Sequence, residues 1–145
     1  MWAITPGACK RAALRIGFHI KCYIIISVTA TVKRIGDSLE VLSGFPDEVK
    51  LTMGFNVRRL QEGRPLICSV RPMPSIGKGV FELKDQDDAG WYRLIYLARV
   101  EDTIYVLHCF KKNTAKTTKS DLNAAEARLK LVNQRILQEK KARKA

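Results

Sequence analysis

Between Trp91 and Thr117 the chain reads WYRLIYLARVEDTIYVLHCFKKNTAKT, two runs of β-branched and aromatic residues parted by the polar pair Glu101-Asp102. Such a pattern specifies a β-hairpin, with a run of lysines following its second strand. If Glu101 and Asp102 form the loop, Val100 pairs with Thr103, Arg93 with Phe110 and Ile95 with His108. Side chains alternate along a strand, so Trp91, Arg93, His108, Phe110 and Lys112 are expected on one face at the open end. Nearer the loop that face continues as core through Ile95, Leu97, Ile104 and Val106. A guanidinium, an imidazole, an ammonium and two rings suit a phosphate and its base, because Arg grips phosphate oxygens in pairs and rings stack on bases. Ordinary packing accounts for the same residues, since a Trp and a Phe at period two often belong to a core and a lone His is often structural.

The charge balance bears on the partner. Net charge is +12, but residues 31 to 110 carry eleven basic and eleven acidic side chains. The excess is terminal: residues 1 to 30 hold four Lys or Arg and no acid, and residues 111 to 145 hold eleven against three. This asymmetry fits a polyanionic partner, nucleic acid before membrane. Lys140 to Lys144 also fits a solvated basic tail. Cys9, Cys22, Cys68 and Cys109 are scattered, with no ligand cluster, so neither a metal site nor a disulfide framework is expected and free thiols in the cytoplasm fit best. No cofactor is expected.

Along the rest of the chain, residues 1–30 form an extension in which cations precede the short apolar run Cys22 to Val28. The run superficially resembles a secretion signal but is too short to span a bilayer. Thr31 to Ile35 suits a first strand, and Asp37 or Ser38 can cap a short helix through Ser43. Pro46-Asp47-Glu48 begins a second helix, expected to run to Glu62 with Val49, Met53, Val57 and Leu60 on one stripe. Gly54 within it points to close backbone packing. Arg64 to Lys78 reads as a loop; its Gly and Lys78 lack the order of a phosphate-binding loop. Val80 to Lys84 is a strand, and Asp85 to Gly90 a turn whose acid pair Asp87-Asp88 suits turn chemistry better than a metal. Thr118 and Asp121 start a long amphipathic helix carrying Leu122, Ala125, Leu129, Val132 and Ile136, with Arg128, Lys130 and Arg135 on its outer face. The expected fold is α+β: a small antiparallel sheet of about four strands, an N-terminal helix pair and a C-terminal helix. The domain spans 31–137, and 138–145 is a basic tail.

The segments ELK, WYRLIY, VLHCFKK and AKT, in that order and preceded by DSLEVLSGFPDEVKLTMGFNVRRLQEGRPL and PMPSIG, resemble the RelE/ParE superfamily of bacterial toxins, in particular its phage-derived HigB-like branch. The resemblance covers roughly residues 32 to 135. It implies a ribosome-dependent mRNA endonuclease held inactive by a helix-turn-helix antitoxin, and no membrane association. It also implies that Arg93 contacts the scissile phosphate, with Lys84 standing where Arg is more usual. The FxKK segment carries over to Phe110 and Lys112, with Asn113 in place of a second Lys. Cleavage by the RNA's own 2′-hydroxyl needs a base, cations on the phosphorane and an acid at the 5′-oxygen. A Lys among cations can serve as base, and His108 and Glu82 are alternatives by type. The expected catalytic set is therefore Arg93, Lys112, Lys84 and His108, and the expected RNA-binding set Trp91, Phe110, Lys111 and Lys116. Two other classes share the implied fold: a binding module that has lost cleavage, which Asn113 favours, and a gyrase-directed toxin, which the basic cluster disfavours.

Overall fold

Three apolar runs dominate the second half of the chain, and in the computed structural model they form the centre of one sheet. Residues 29–114 and 116–145 are described; of the extension expected for residues 1–30, residues 1–28 lie outside them. The elements are β1 (Thr31–Arg34), α1 (Ser38–Ser43), α2 (Asp47–Gln61), β2 (Ser69–Pro72), β3 (Val80–Asp87), β4 (Gly90–Val100), β5 (Thr103–Lys112) and α3 (Lys119–Lys144). The sheet has five strands in the order β1-β5-β4-β3-β2. It is mixed rather than purely antiparallel, because β1 runs parallel to β5. The fifth strand is β2, which falls inside the stretch read as a loop. Its prolines hid it, yet a Pro is tolerated where a strand lies at a sheet edge, and here Pro72 ends the pairing opposite Phe81.

Helices cover both faces. On one side Val49 and Met53 of α2, with Phe45, pack on Leu83, Tyr92, Leu94, Tyr96, Ile104, Val106 and Cys109. On the other, Ala125, Leu129 and Val132 of α3 pack on Ile95, Leu97, Tyr105, Leu107 and Phe110. Burial holds the Cys109 thiol protonated, pushing its pKa up to about 12. Asn56 ties α2 to the start of β2: its Oδ1 accepts from the Ile67 and Cys68 amides at 2.9 and 3.2 Å. No described helix is long and apolar enough to cross a membrane.

The hairpin pairs Val100 with Thr103, Ile95 with His108 and Arg93 with Phe110. Between these pairs the ladder slips by one residue and back, so that Tyr96 faces Val106 and Leu97 faces Tyr105. Leu107 is the extra residue of a β-bulge. It reverses the alternation in β5, so Tyr105 and Leu107 join the α3 side while Ile104 and Val106, expected there, face α2. The loop needs left-handed backbone at Glu101 (φ 54°) and Asp102 (φ 130°). Salt bridges hold it from outside, with Arg99 on Asp102 at 2.5 Å and Arg143 on Glu101 at 2.7 Å. The segment read as a basic tail is thus the last turns of α3, and it clasps the hairpin loop.

Gly54 does not mediate close packing: a Cβ there would meet nothing within 4 Å. Gly54→Ala should therefore raise the unfolding free energy by about 0.5–1 kcal/mol through helix propensity alone. Denaturant unfolding checks this, and a loss of stability would show that the position is constrained by packing after all.

Candidate functional site

The α3-facing side of the sheet carries three cross-strand rows. Arg71, Glu82, Ile95 and His108 form one; Ser69, Lys84, Arg93 and Phe110 the next; Gln86, Trp91 and Lys112 the last. Most of the polar groups anticipated from the hairpin are in these rows. They are not, however, an open cationic surface, because α3 starts only seven residues after β5 and folds straight back across them.

Arg93 is 1% exposed and Glu82 is fully buried. The Glu82 carboxylate accepts from Arg93 Nη1 at 2.6 Å through Oε1, and its Oε2 lies 3.3 Å from Arg71 Nη2. The Thr117 hydroxyl completes the group, accepting from Arg93 and donating to Glu82, each at 3.2 Å. One carboxylate between two guanidiniums leaves a net positive charge beneath the surface. Above it opens a cleft of about 480 Å³ lined by Arg71, Pro72, Met73, Pro74, Ser75, Lys116, Thr117 and Leu122. Arg71, about half exposed, belongs to both the buried group and the cleft wall.

A second polar group lies beside the first. His108 is bonded at both ring nitrogens, Nε2 to Asp121 Oδ1 at 3.1 Å and Nδ1 to Arg128 Nη1 at 3.0 Å. A guanidinium can only donate, so Nδ1 accepts and Nε2 carries the proton that it gives to Asp121. Arg128 also donates to the Leu107 carbonyl at 2.9 Å and to Asp37 at 2.6 Å. It therefore faces inward, contrary to its expected place on the outer surface of the helix. Lys112 sits 3.1 Å from Asp121 Oδ2 and is only 15% exposed, so its ammonium meets a carboxylate rather than a cluster of cations. Burial alone would raise the Asp121 pKa, but hydrogen bonds from Thr118, His108 and Lys112 outweigh it and hold the carboxyl below its ordinary value. The Arg128 hydrogen bond does the same for Asp37.

The remaining expected residues separate. Phe110 is buried, its ring stacked on His108 at 5.3 Å and packed under α3, which leaves it no free face for a base. Lys111 points to the other side of the sheet, over the Tyr92 ring. Lys116 is exposed at the cleft, whereas Lys84 and Trp91 are mostly buried and line a different depression with Ser69 and Gln86. Arg71, Thr117, Asp121 and Arg128 were missed as functional residues. For Asp121 the capping pattern with Thr118 was the available signal; Arg71 was concealed with its strand. Among the described residues no three His, Cys, Asp or Glu side chains gather as a metal would require.

Two predictions follow from these contacts. Arg93→Ala leaves the Glu82 charge buried with only the half-exposed Arg71 near it, so unfolding free energy should fall by roughly 3–5 kcal/mol. Denaturation of the purified variant checks this; unchanged stability would contradict the pairing. The lowered carboxyls of Asp121 and Asp37 stabilise the fold fully above their ordinary value of 3.8, and that contribution is lost as pH falls through their lower folded values. Thermal melts below about pH 4 should decline less steeply in Asp121→Asn than in the parent.

No curated protein matches the chain. The sequence model of the phage-derived protein family Gp49-like matches residues 40–130, which run from α1 through the first half of α3 and include both polar groups except Asp37. The match covers more than half of the sequence, and the chain belongs to this phage-derived Gp49-like family, a family of RelE-like toxins.

Proposed function

We propose that the protein is the toxin of a toxin–antitoxin pair, in the cytoplasm, and that it cleaves mRNA on the ribosome using its own cations and carboxylate, without a metal or other cofactor. The observation that supports this most is the buried Glu82 carboxylate, held by Arg71, Arg93 and Thr117 directly beneath a cleft carrying Arg71 and Lys116. An RNA phosphate entering the cleft binds Arg71 and Lys116. Arg71 then turns from the carboxylate to the phosphate, which uncovers Glu82. Glu82 takes the proton of the 2′-hydroxyl, the 2′-oxygen attacks phosphorus, and the bond to the 5′-oxygen breaks. Lys116 supplies the proton to that leaving oxygen, and Arg93 remains behind Glu82 to steady the charge. In this scheme Arg93 acts through Glu82, while His108 and Lys112 fix the start of α3 through Asp121 and so position Thr117. Its partners are the translated message and a helix-turn-helix antitoxin.

A module that binds RNA or the ribosome without cleaving is the alternative, favoured by the burial of Arg93 and His108 and by Asn113. Mapping of mRNA 5′ ends after brief induction separates the two. Cuts inside translated messages are expected, and Arg71→Ala should reduce them by about 100-fold, as loss of a charge-stabilising group does, while stability changes by no more than about 1 kcal/mol. Growth arrest without cuts would establish the binder.

A further inference from the structure

The depression lined by Thr52, Ile67, Cys68, Ser69, Lys84, Asp85, Gln86 and Trp91 lies on the same sheet edge as the cleft but is separate from it. We propose that it is a nucleotide subsite, taking the base of the RNA residue adjacent to the one whose phosphate sits at Arg71. This rests on the RNA-cleaving function proposed above and adds to it a place where the message is gripped.

Register sets the spacing. Ser69 pairs with Lys84 and Arg71 with Glu82, so the two sites are two residues apart along β2 and β3. Two residues of strand span about 7 Å, a step that one nucleotide of an extended single strand can bridge. The chemistry at the second site differs from that at the first in a consistent way. Trp91 pairs across the ladder with Gln86 and is partly exposed, whereas Phe110, the other ring of this face, is buried under α3. Trp91 is thus the ring on the open part of this face that can stack on a base, an interaction available to any base because each has a π face. Around it, Gln86 and Ser69 are exposed and offer an amide and a hydroxyl to base or sugar edges. Lys84 has no carboxylate in salt-bridge range among the described residues, which leaves its ammonium for the connecting phosphate. Asp85, the one acid in this lining, accepts the Gln86 amide at 2.9 Å and has acceptor capacity left for a base amino group. One cation, an amide, a hydroxyl and a carboxylate around a partly exposed ring suit a single-stranded nucleotide rather than a duplex, whose bases present no free face.

The test is titration of the full chain with a single-stranded 2′-O-methyl oligoribonucleotide, which cannot be cleaved. A Trp2→Phe background leaves Trp91 as the only tryptophan reporting. Binding should quench Trp91 fluorescence. By anisotropy of a labelled oligonucleotide, Trp91→Ala should weaken binding by about tenfold and Trp91→Phe, which keeps a stacking ring, by less than about threefold. Wild-type affinity in Trp91→Ala alongside weakened binding in Arg71→Ala would overturn the subsite and leave the cleft as the binding site. Absence of binding by the parent protein would also overturn the subsite, while the cleavage proposal is judged separately by the mapped 5′ ends.

Discussion

A carboxylate and a guanidinium taken out of water together hold the centre of this protein. Glu82 on β3 and Arg93 on β4 lie near each other across the ladder, and neither has appreciable contact with solvent. Such a pair is expensive to bury unless its remaining lone pairs and protons are met; Thr117 hydrogen-bonds both partners from the segment leading into α3, and Arg71 of β2 brings its charge to 3.3 Å from Glu82 Oε2, which accepts no hydrogen bond among the described residues. One ion pair therefore couples four parts of the chain. The position of Thr117 in turn depends on how α3 is seated, which the Asp121, His108, Arg128 and Asp37 chain of contacts fixes from the opposite end of the same face.

That coupling explains how a sheet covered on both sides can present a site at all. The central strands are buried by α2 and α3, and the Glu82 group reaches the surface through Arg71 at the β2 edge, where a proline ends the pairing. Arg71 is the hinge of this arrangement: half in the buried group, half in the cleft. The electrostatic field follows the same geometry. The acids along α3 and the hairpin loop are engaged in salt bridges, leaving the cleft positive through Arg71 and Lys116, while the adjoining depression sets Lys84 beside Asp85.

Much of the fold could be read from the residues because its signals were local. The hairpin, with its two-residue loop, and the starts of α2 and α3 all follow from short patterns at Glu101-Asp102, Pro46-Asp47 and Thr118-Asp121. Two features escaped because they are decided between distant segments. Strand β2 exists only by pairing with β3, and the bulge at Leu107 is set by the packing demands of α3 on one face and α2 on the other. The candidate site was legible as a group of residue types on one face, but not in its roles. Alternation placed Arg93, His108 and Phe110 on that face; it could not reveal that α3 would cover them, nor that the outward-looking Arg128 would turn inward to His108.

Whether the charge pair itself, rather than the packing around it, organises the fold can be measured with one thermodynamic cycle. Glu82→Leu and Arg93→Met would each be made alone and then together, with unfolding free energies compared. The account predicts that each single replacement strands a buried charge and costs several kcal/mol, while the double replacement recovers most of that loss, with a coupling of roughly 2 kcal/mol or more. Additive losses, with the double variant as unstable as the sum of the singles, would contradict it.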